Sequence, residues 1–127
     1  MKMPVFEYAM VRVVPRVERE EFINVGIILF CKELRFLQMR FDVNRDRLGA
    51  LATNTDPDQL EQNLRAFQKI AAGEKTDSAI ASMDQASRFR WLTATRSTVI
   101  QCSKVHPGIC TGSPEQALER MFQNLIL

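Results

Sequence analysis

Apolar residues near the start of the chain fall into two continuous runs, and each run has the length of a β-strand. Val5–Val14 is rich in β-branched and aromatic residues and is polar only at Glu7 and Arg12. This composition predicts a central strand that ends at Pro15. Val25–Cys31 is apolar throughout and predicts a second buried strand.

Two further segments extend the predicted sheet. Lys32–Phe41 mixes arginine and glutamine with apolar residues, which predicts a third strand with a more polar face and a hairpin tip at Lys32–Glu33. Ser97–Ser103 has the composition of a strand, and His106–Gly108 marks a turn.

Capping residues predict helices in the second half of the chain. Asp56, followed by Pro57 and Gln59, is a typical helix start, and Gly73 is a typical stop. Between them Leu60, Leu64, Phe67 and Ala71 recur at helical spacing.

Similar signals predict three other helices. Asn44 caps a short helix that runs to Leu51. A capping box of Ser82 and Gln85 opens a helix that runs to Leu92, and Ser113 opens a terminal helix whose apolar side chains line one face.

Strands that cluster early and helices that follow favour an α+β fold over an alternating parallel one. We therefore predict an antiparallel sheet of about four strands, with two to three helices packed mainly on one face. The 127 residues suit a single domain, 1–127. Whether a sheet edge pairs with a second copy stays open, so a homo-oligomer is a further alternative.

Composition predicts a cytoplasmic protein. No apolar run approaches the roughly 18 residues that a membrane span needs, and the first ten residues lack the apolar core of a signal peptide. The three cysteines are an odd set, which fits a reducing compartment better than a disulfide framework.

Charge is distributed unevenly along the chain. The net charge is only +2, but twelve of the seventeen basic residues are arginine. The segment from Gln85 to Pro114 contains no acid and four bases, whereas Asn54–Asp84 has six acids and three bases. This asymmetry predicts a basic and an acidic side and favours charged partners.

The charged stretch between the first two strands includes Arg16, Glu18, Arg19, Glu20 and Glu21. Paired carboxylates of this kind can serve acid–base chemistry or bind a divalent cation. The neighbouring arginines nearly neutralise them, however, so a solvated connecting loop is favoured, with a partner-binding loop as the alternative.

Cys102, His106 and Cys110, with the distant Cys31, are the nearest approach to a zinc-binding set. Their spacing is not that of a zinc knuckle, and Pro107 breaks the helix that would align them. The same His106, the single histidine, would have to serve any nucleophile pair with Cys102 or Ser103. We predict neither a metal, a cofactor nor a catalytic residue.

The stretch Ser87–Gln101 is the most informative one for binding. Arg88, Arg90 and Arg96 surround Trp91, and Arg and Trp are frequent anchors of protein interfaces. The same region supports a phosphate or nucleic-acid surface through Arg96, Ser97, Thr98, Gln101, Lys104 and His106. The alternative is that Trp91 simply closes the core.

Long strings of the sequence resemble one bacterial family, domain of unknown function 3037. They are "YAMVRVVPRVEREEFINVGIILFC", "RFRWL" and "RSTVIQCSKVHPG". The chain departs from the family's usual Ser-Pro-Val-His at Lys104, and Cys102 is also unusual, which weakens any metal site there. The resemblance implies a cytoplasmic protein without assigned catalytic residues, whose relatives are often encoded beside a HipA-like serine/threonine kinase.

We therefore expect a non-enzymatic interaction module whose partner is another protein, with a HipA-like kinase as the candidate and an antitoxin-like role. The predicted partner-binding residues are Arg16, Glu18, Arg19, Glu21, Arg88, Arg90, Trp91 and Arg96. The alternative from a different class is a nucleic-acid-binding protein or phosphate-directed enzyme that uses residues 88–106.

Overall fold

A computed structural model of the chain describes residues 3–51, 55–94 and 98–127. The strands are β1 (Val5–Val13), β2 (Ile23–Cys31), β3 (Phe36–Phe41), β4 (Ile100–Cys102) and β5 (His106–Ile109). The helices are α1 (Arg45–Leu51), α2 (Pro57–Ala72), α3 (Gln85–Thr93) and α4 (Pro114–Leu125). The predicted α+β class with an antiparallel sheet is confirmed.

Strand β1 lies at the centre of the sheet. It pairs with β2 along one side, and β2 pairs in turn with β3. On its other side β1 pairs with β4 near its C-terminal end and with β5 near its N-terminal end. All of these pairings are antiparallel, so β4 and β5 follow each other along one edge of the sheet.

The two faces of the sheet are covered to different extents. Helices α1, α2 and α3 contribute to the core cluster on one face, which we call the helix-rich face. Helix α4 contributes the cluster on the opposite face, which we call the α4 face. Strand β2 is buried on both faces because Ile28 and Phe30 belong to the first cluster and Ile27 and Leu29 to the second.

Most helix boundaries follow the capping residues that the sequence predicts. The Asp56 carboxylate accepts hydrogen bonds from the first turn of α2, and Gly73 ends that helix in the left-handed conformation, at φ 74°. Asn44 accepts from the Arg47 backbone at the start of α1. Ser113 and Gln116 form a complete capping box at the start of α4.

The predicted cap of α3 is wrong. Ser82 lies in a short 3₁₀ turn, Ala79–Ser82, where its hydroxyl donates to the Ala79 carbonyl. The cap is Asp84, whose carboxylate accepts from the Ser87 backbone at 2.7 Å. A carboxylate directly before the helix therefore displaces the serine two residues upstream.

The predicted turn at His106–Gly108 is also wrong, because these residues form most of β5. Tyr8 pairs with His106 and Phe6 with Gly108, so the backbone of β1 extends the segment. Pro107 is tolerated because β5 is an edge strand. Gly108 is required because a Cβ at this position would overlap the Phe6 ring.

Candidate interaction surface

Helix α4 covers only part of its face of the sheet. It packs on β2 and β3, whereas β1, β4 and β5 are left partly uncovered. The side chains of this uncovered region are half-buried or exposed. We call the region the open face and define it as Tyr8, Met10, Arg12, Phe22, Asn24, Gln101 and His106.

Strand register places three polar side chains of the open face in one row. Arg12 is the cross-strand partner of Asn24 on β2 and of Gln101 on β4. Cross-strand partners point to the same side of a sheet. The row therefore presents a guanidinium group between two amides. A β-bulge, where the register shifts between Val11 and Arg12, lies directly beside it.

Arg12 is held in place by an aromatic ring. Its guanidinium carbon lies 3.9 Å from the centroid of the Phe22 ring, and Phe22 is 47% exposed. Within the described ranges, no carboxylate forms an ion pair with Arg12. The stack fixes the charge near the surface but leaves it without a counterion.

The other arginines of the described ranges differ from Arg12 in burial or in pairing. Arg19, Arg40 and Arg45 form ion pairs with carboxylates. Arg88 is buried and donates to backbone carbonyls. The other arginines without a strong carboxylate partner are exposed, and they are Arg16, Arg35, Arg47, Arg65, Arg90 and Arg120. Arg12 thus combines partial burial with an unpaired charge, which favours binding of an anionic group.

Two polar atoms of the row are buried without a hydrogen-bond partner. They are Nε of Arg12 and Oδ1 of Asn24, and the described residues contain one other such side-chain atom, Nε of Arg88. Native structures keep few such atoms, because each one raises the free energy of the folded state. Their proximity on paired residues marks this row as a candidate functional feature.

Beyond the row, the open face is aromatic and apolar. The Tyr8 and His106 rings contact each other with centroids 5.4 Å apart. Met10 lies between Tyr8 and Arg12 on the same strand and packs at the margin of the α4 cluster, as does Met121 of α4. Tyrosine, methionine and arginine are enriched at protein interfaces.

Negative charge is scarce on this side of the three strands. Glu7 is the one carboxylate in β1, β4 and β5, and strand alternation directs it to the helix-rich face. On β3, at the opposite edge of the sheet, Arg40 pairs with Glu119 of α4 and stacks over Phe122. The open face is therefore positive or neutral along β1, β4 and β5.

The structure places the predicted residues of α3 in different environments. Arg88 is 9% exposed and donates to the carbonyls of Met83 and Ala71, so it stabilises the packing of α3 against the end of α2. Trp91 is half-buried with its ring edge towards Phe67, at 5.8 Å between centroids. Arg90 is exposed, and Arg96 lies outside the described residues.

The predicted loop residues lie between β1 and β2. Arg16 and Glu18 are exposed, and Arg19 pairs with Glu21 at 2.6 Å. This loop leads directly into Phe22, so it borders the Arg12 end of the open face. The loop contains two arginines and three glutamates, so it has an excess of one negative charge.

The predicted anion-binding residues are only partly brought together. Gln101 and His106 belong to the open face, and Lys104 is exposed between β4 and β5. The Thr98 hydroxyl donates to the Ile100 carbonyl at 2.7 Å, and the Gln101 amide donates to the Thr98 carbonyl at 2.8 Å. Ser97 lies outside the described residues.

The cysteines are distributed over both faces of the sheet. Cys31 and Cys110 belong to the α4 cluster, whereas Cys102 packs against the helix-rich cluster. The thiols of Cys102 and Cys110 each donate to a backbone carbonyl, of Leu92 and Gly112. Across the described ranges, no group of three or more histidine, cysteine or acidic side chains is placed to hold a metal ion.

Two pKa shifts belong to helix ends and not to the open face. The backbone N–H of Ser87 lowers the pKa of Asp84, with smaller effects from the Ser87 side chain, Arg90 and Arg88. Hydrogen bonds to Asp58 and Glu61 raise the pKa of Arg45. Both shifts are typical of capping and surface pairing.

Sequence interpretation missed Tyr8, Met10, Arg12, Phe22 and Asn24 as candidates. A signal for three of them was available in the alternation along β1. Ala9, Val11 and Val13 are fully buried, whereas the alternate positions Tyr8, Met10 and Arg12 carry a hydroxyl, a thioether and a guanidinium group. This period of two predicts a strand with one open face.

The fold and this surface define a small α+β domain whose central sheet is only half covered on one side. A comparison with protein families matches residues 8–126 to the family described as Protein of unknown function (DUF3037), and the chain belongs to it. Searches of curated proteins and of solved structures gave no match. Among the described residues, no helix has the length and apolar character needed to cross a membrane.

Proposed function

We propose that this protein is a non-enzymatic interaction module that binds another protein through the open face. The observation that carries the proposal is the stack of Arg12 on a half-exposed Phe22, with no carboxylate partner in the described ranges. An ordered cation beside aromatic and thioether side chains is the usual composition of an interface hot spot.

Docking on the face is favoured over pairing at an edge. At the β3 edge, side-chain amides of Gln68 and Gln85 donate to the carbonyls of Met39 and Arg35. At the other edge, Pro107 lacks an N–H, and β4 and β5 are short. A partner or a second copy is therefore disfavoured as an added strand.

The first partner to test is a HipA-like serine/threonine kinase, as the family resemblance implies, with an accessory or antitoxin-like role for this protein. Isothermal titration of the purified protein with a HipA-like kinase from the same genome measures the affinity.

The variants Arg12→Glu and Phe22→Ser should each weaken binding about tenfold or more, because they reverse or release the ordered charge. Arg65→Glu is the matched control, since Arg65 is 63% exposed on α2 and lies outside the open face. Equal affinities for all three variants and the wild type would reject the open face as the binding surface.

Variants of the charged residues that the sequence predicts as partner-binding are measured in the same titration. Arg16→Glu tests the loop at the border of the open face, and Arg90→Glu tests the exposed side of α3. We expect a moderate loss for Arg16→Glu and none for Arg90→Glu. Arg88 is left out because its burial gives it a structural role.

The alternative class, nucleic-acid binding, has Thr98, Gln101, Lys104 and His106 as its candidates among the described residues. A surface with so few cations is a weak match to a polyanion, whose affinity rises with the number of neutralised phosphates. Absorbance of the purified complex distinguishes the two: co-purified nucleic acid without a protein partner would reverse the order of the hypotheses.

A further inference from the structure

The side chains of the row Asn24, Arg12 and Gln101 indicate which chemical class of partner segment binds there. A guanidinium group binds a carboxylate through two parallel N–H···O bonds. On either side of it, Asn24 adds a side-chain amide donor and Gln101 a side-chain amide acceptor, which match the acceptors and donors of peptide groups. The row thus complements a short stretch of polypeptide whose central side chain is acidic.

We propose that the open face is the docking site of an extended acidic peptide segment of the partner protein, with an Asp or Glu carboxylate bound by Arg12. This inference rests on the proposed function and names the chemistry of its partner. The segment crosses β2, β1 and β4 along the row, and its carboxylate lies over the guanidinium group that stacks on Phe22.

Charge complementarity carries this choice of occupant. The cation is half-buried, has no counterion within the described ranges, and faces a surface along β1, β4 and β5 that lacks carboxylates. A carboxylate should bind Arg12 with a more favourable free energy than it binds an exposed arginine. The reason is that the Arg12 guanidinium is already ordered and partly desolvated before binding.

Two features make a peptide a better match than a nucleic-acid strand. The row contains one arginine, whereas a strand of nucleotides carries a phosphate at every step. Next to the row, Met10 and the margin of the α4 cluster offer an apolar surface for a neighbouring apolar side chain. An acidic segment with alternating apolar residues would place a carboxylate on Arg12 and an apolar side chain on the surface next to Met10.

A nuclear magnetic resonance titration of the isotope-labelled full chain tests this inference with defined probes. The probe is a blocked decapeptide in which Glu and Leu alternate, added to millimolar concentration. The matched peptide replaces each Glu with Gln, and a third probe is an oligothymidylate of ten nucleotides. The signals to follow are the Arg12 Nε–H and the backbone amides of Met10, Arg12, Asn24 and Gln101.

The Glu peptide should shift these signals, and the Gln peptide should bind about tenfold more weakly. Arg12→Gln should lower the affinity for the Glu peptide by a similar factor and remove the preference for Glu over Gln. Arg65→Gln should leave the titration unchanged. These results together support an acidic segment anchored by Arg12.

Three outcomes would overturn the inference. Equal shifts with the Glu and Gln peptides would reject the acidic character but leave the open face as a binding surface. Tighter binding of the oligothymidylate to the same residues would assign the face to nucleic acid. If no probe shifts the signals of the open face, the peptide site is rejected. The proposed function is tested separately by the calorimetric titration with the kinase.

Discussion

At the scale of single residues, Arg12 and Arg88 carry the same group, but their surroundings give them different roles. Arg88 directs its guanidinium inward to two backbone carbonyls and lies where it would crowd a Cβ at position 73. Arg12 lies on an aromatic ring at the surface. The sequence alone placed Arg88 among the eight predicted partner-binding residues, because the position of a charge on a short helix does not reveal which way it points.

Arg88→Ala should destabilise the protein by about 2 kcal/mol, because it removes charged hydrogen bonds that link α3 to the end of α2. Arg90→Ala is the control on the same helix and should change stability by at most about 0.5 kcal/mol. Urea unfolding measures both variants. Equal free energies of unfolding for the two would contradict the structural role of Arg88.

Asp84 gives a prediction about pH. Its pKa is lower in the folded state than the ordinary value of 3.8, mainly through the Ser87 backbone N–H. A depressed folded pKa adds stability above the unfolded pKa, and this stability is lost as the pH falls through the folded pKa. Part of the loss of stability between about pH 5 and pH 2 should therefore come from Asp84.

Asp84→Asn keeps a capping side chain but removes the titration, so its urea midpoint should fall less steeply over this range. Ser113→Ala is a useful comparison because it removes a neutral cap. Ser113→Ala should lower the free energy of unfolding by about 1 kcal/mol at both ends of this pH range. The same slope in Asp84→Asn and the wild type would show that the cap does not titrate as described.

At the scale of elements, sequence patterns identified β1, β2, β3, β4 and four helices because apolar or β-branched runs and caps are local signals. Strand β5 was missed because its proline and glycine are ordinary turn residues, and only pairing with β1 makes the segment extended. The sequence also did not predict that α4 packs on the face opposite the other helices. Which face of a sheet a helix chooses depends on long-range packing, which periodicity does not encode.

The pairing of β5 can be tested at its glycine. Gly108→Ala should destabilise the protein by about 1–3 kcal/mol, because the new methyl group would overlap the Phe6 ring. Gly49→Ala is the matched change within α1, where nothing lies within 4 Å of a new Cβ. It should stabilise the protein by about 0.5–1 kcal/mol. A neutral Gly108→Ala would argue against the close contact of β5 with Phe6.

At the scale of the whole molecule, the described residues leave about one half of one sheet face without a helix. The helices on the other face bury one side of the sheet, and α4 buries β2 and β3 on this side. The β1 side chains Tyr8, Met10 and Arg12 are therefore left at the surface or at the margin of the core. The candidate site could be predicted from sequence only in part. Gln101 and His106 were among the candidates, but Arg12 joins them through a strand pairing that spans most of the chain.

The most direct test of the account is hydroxyl-radical footprinting of the protein with and without its bound partner. Met10 of the open face should be protected from oxidation in the complex, with Phe22 and His106 protected beside it. Met83, which is 43% exposed outside the open face, should react equally in both states. Protection of Met83 with unchanged oxidation of Met10 would contradict the assignment of the open face as the binding surface.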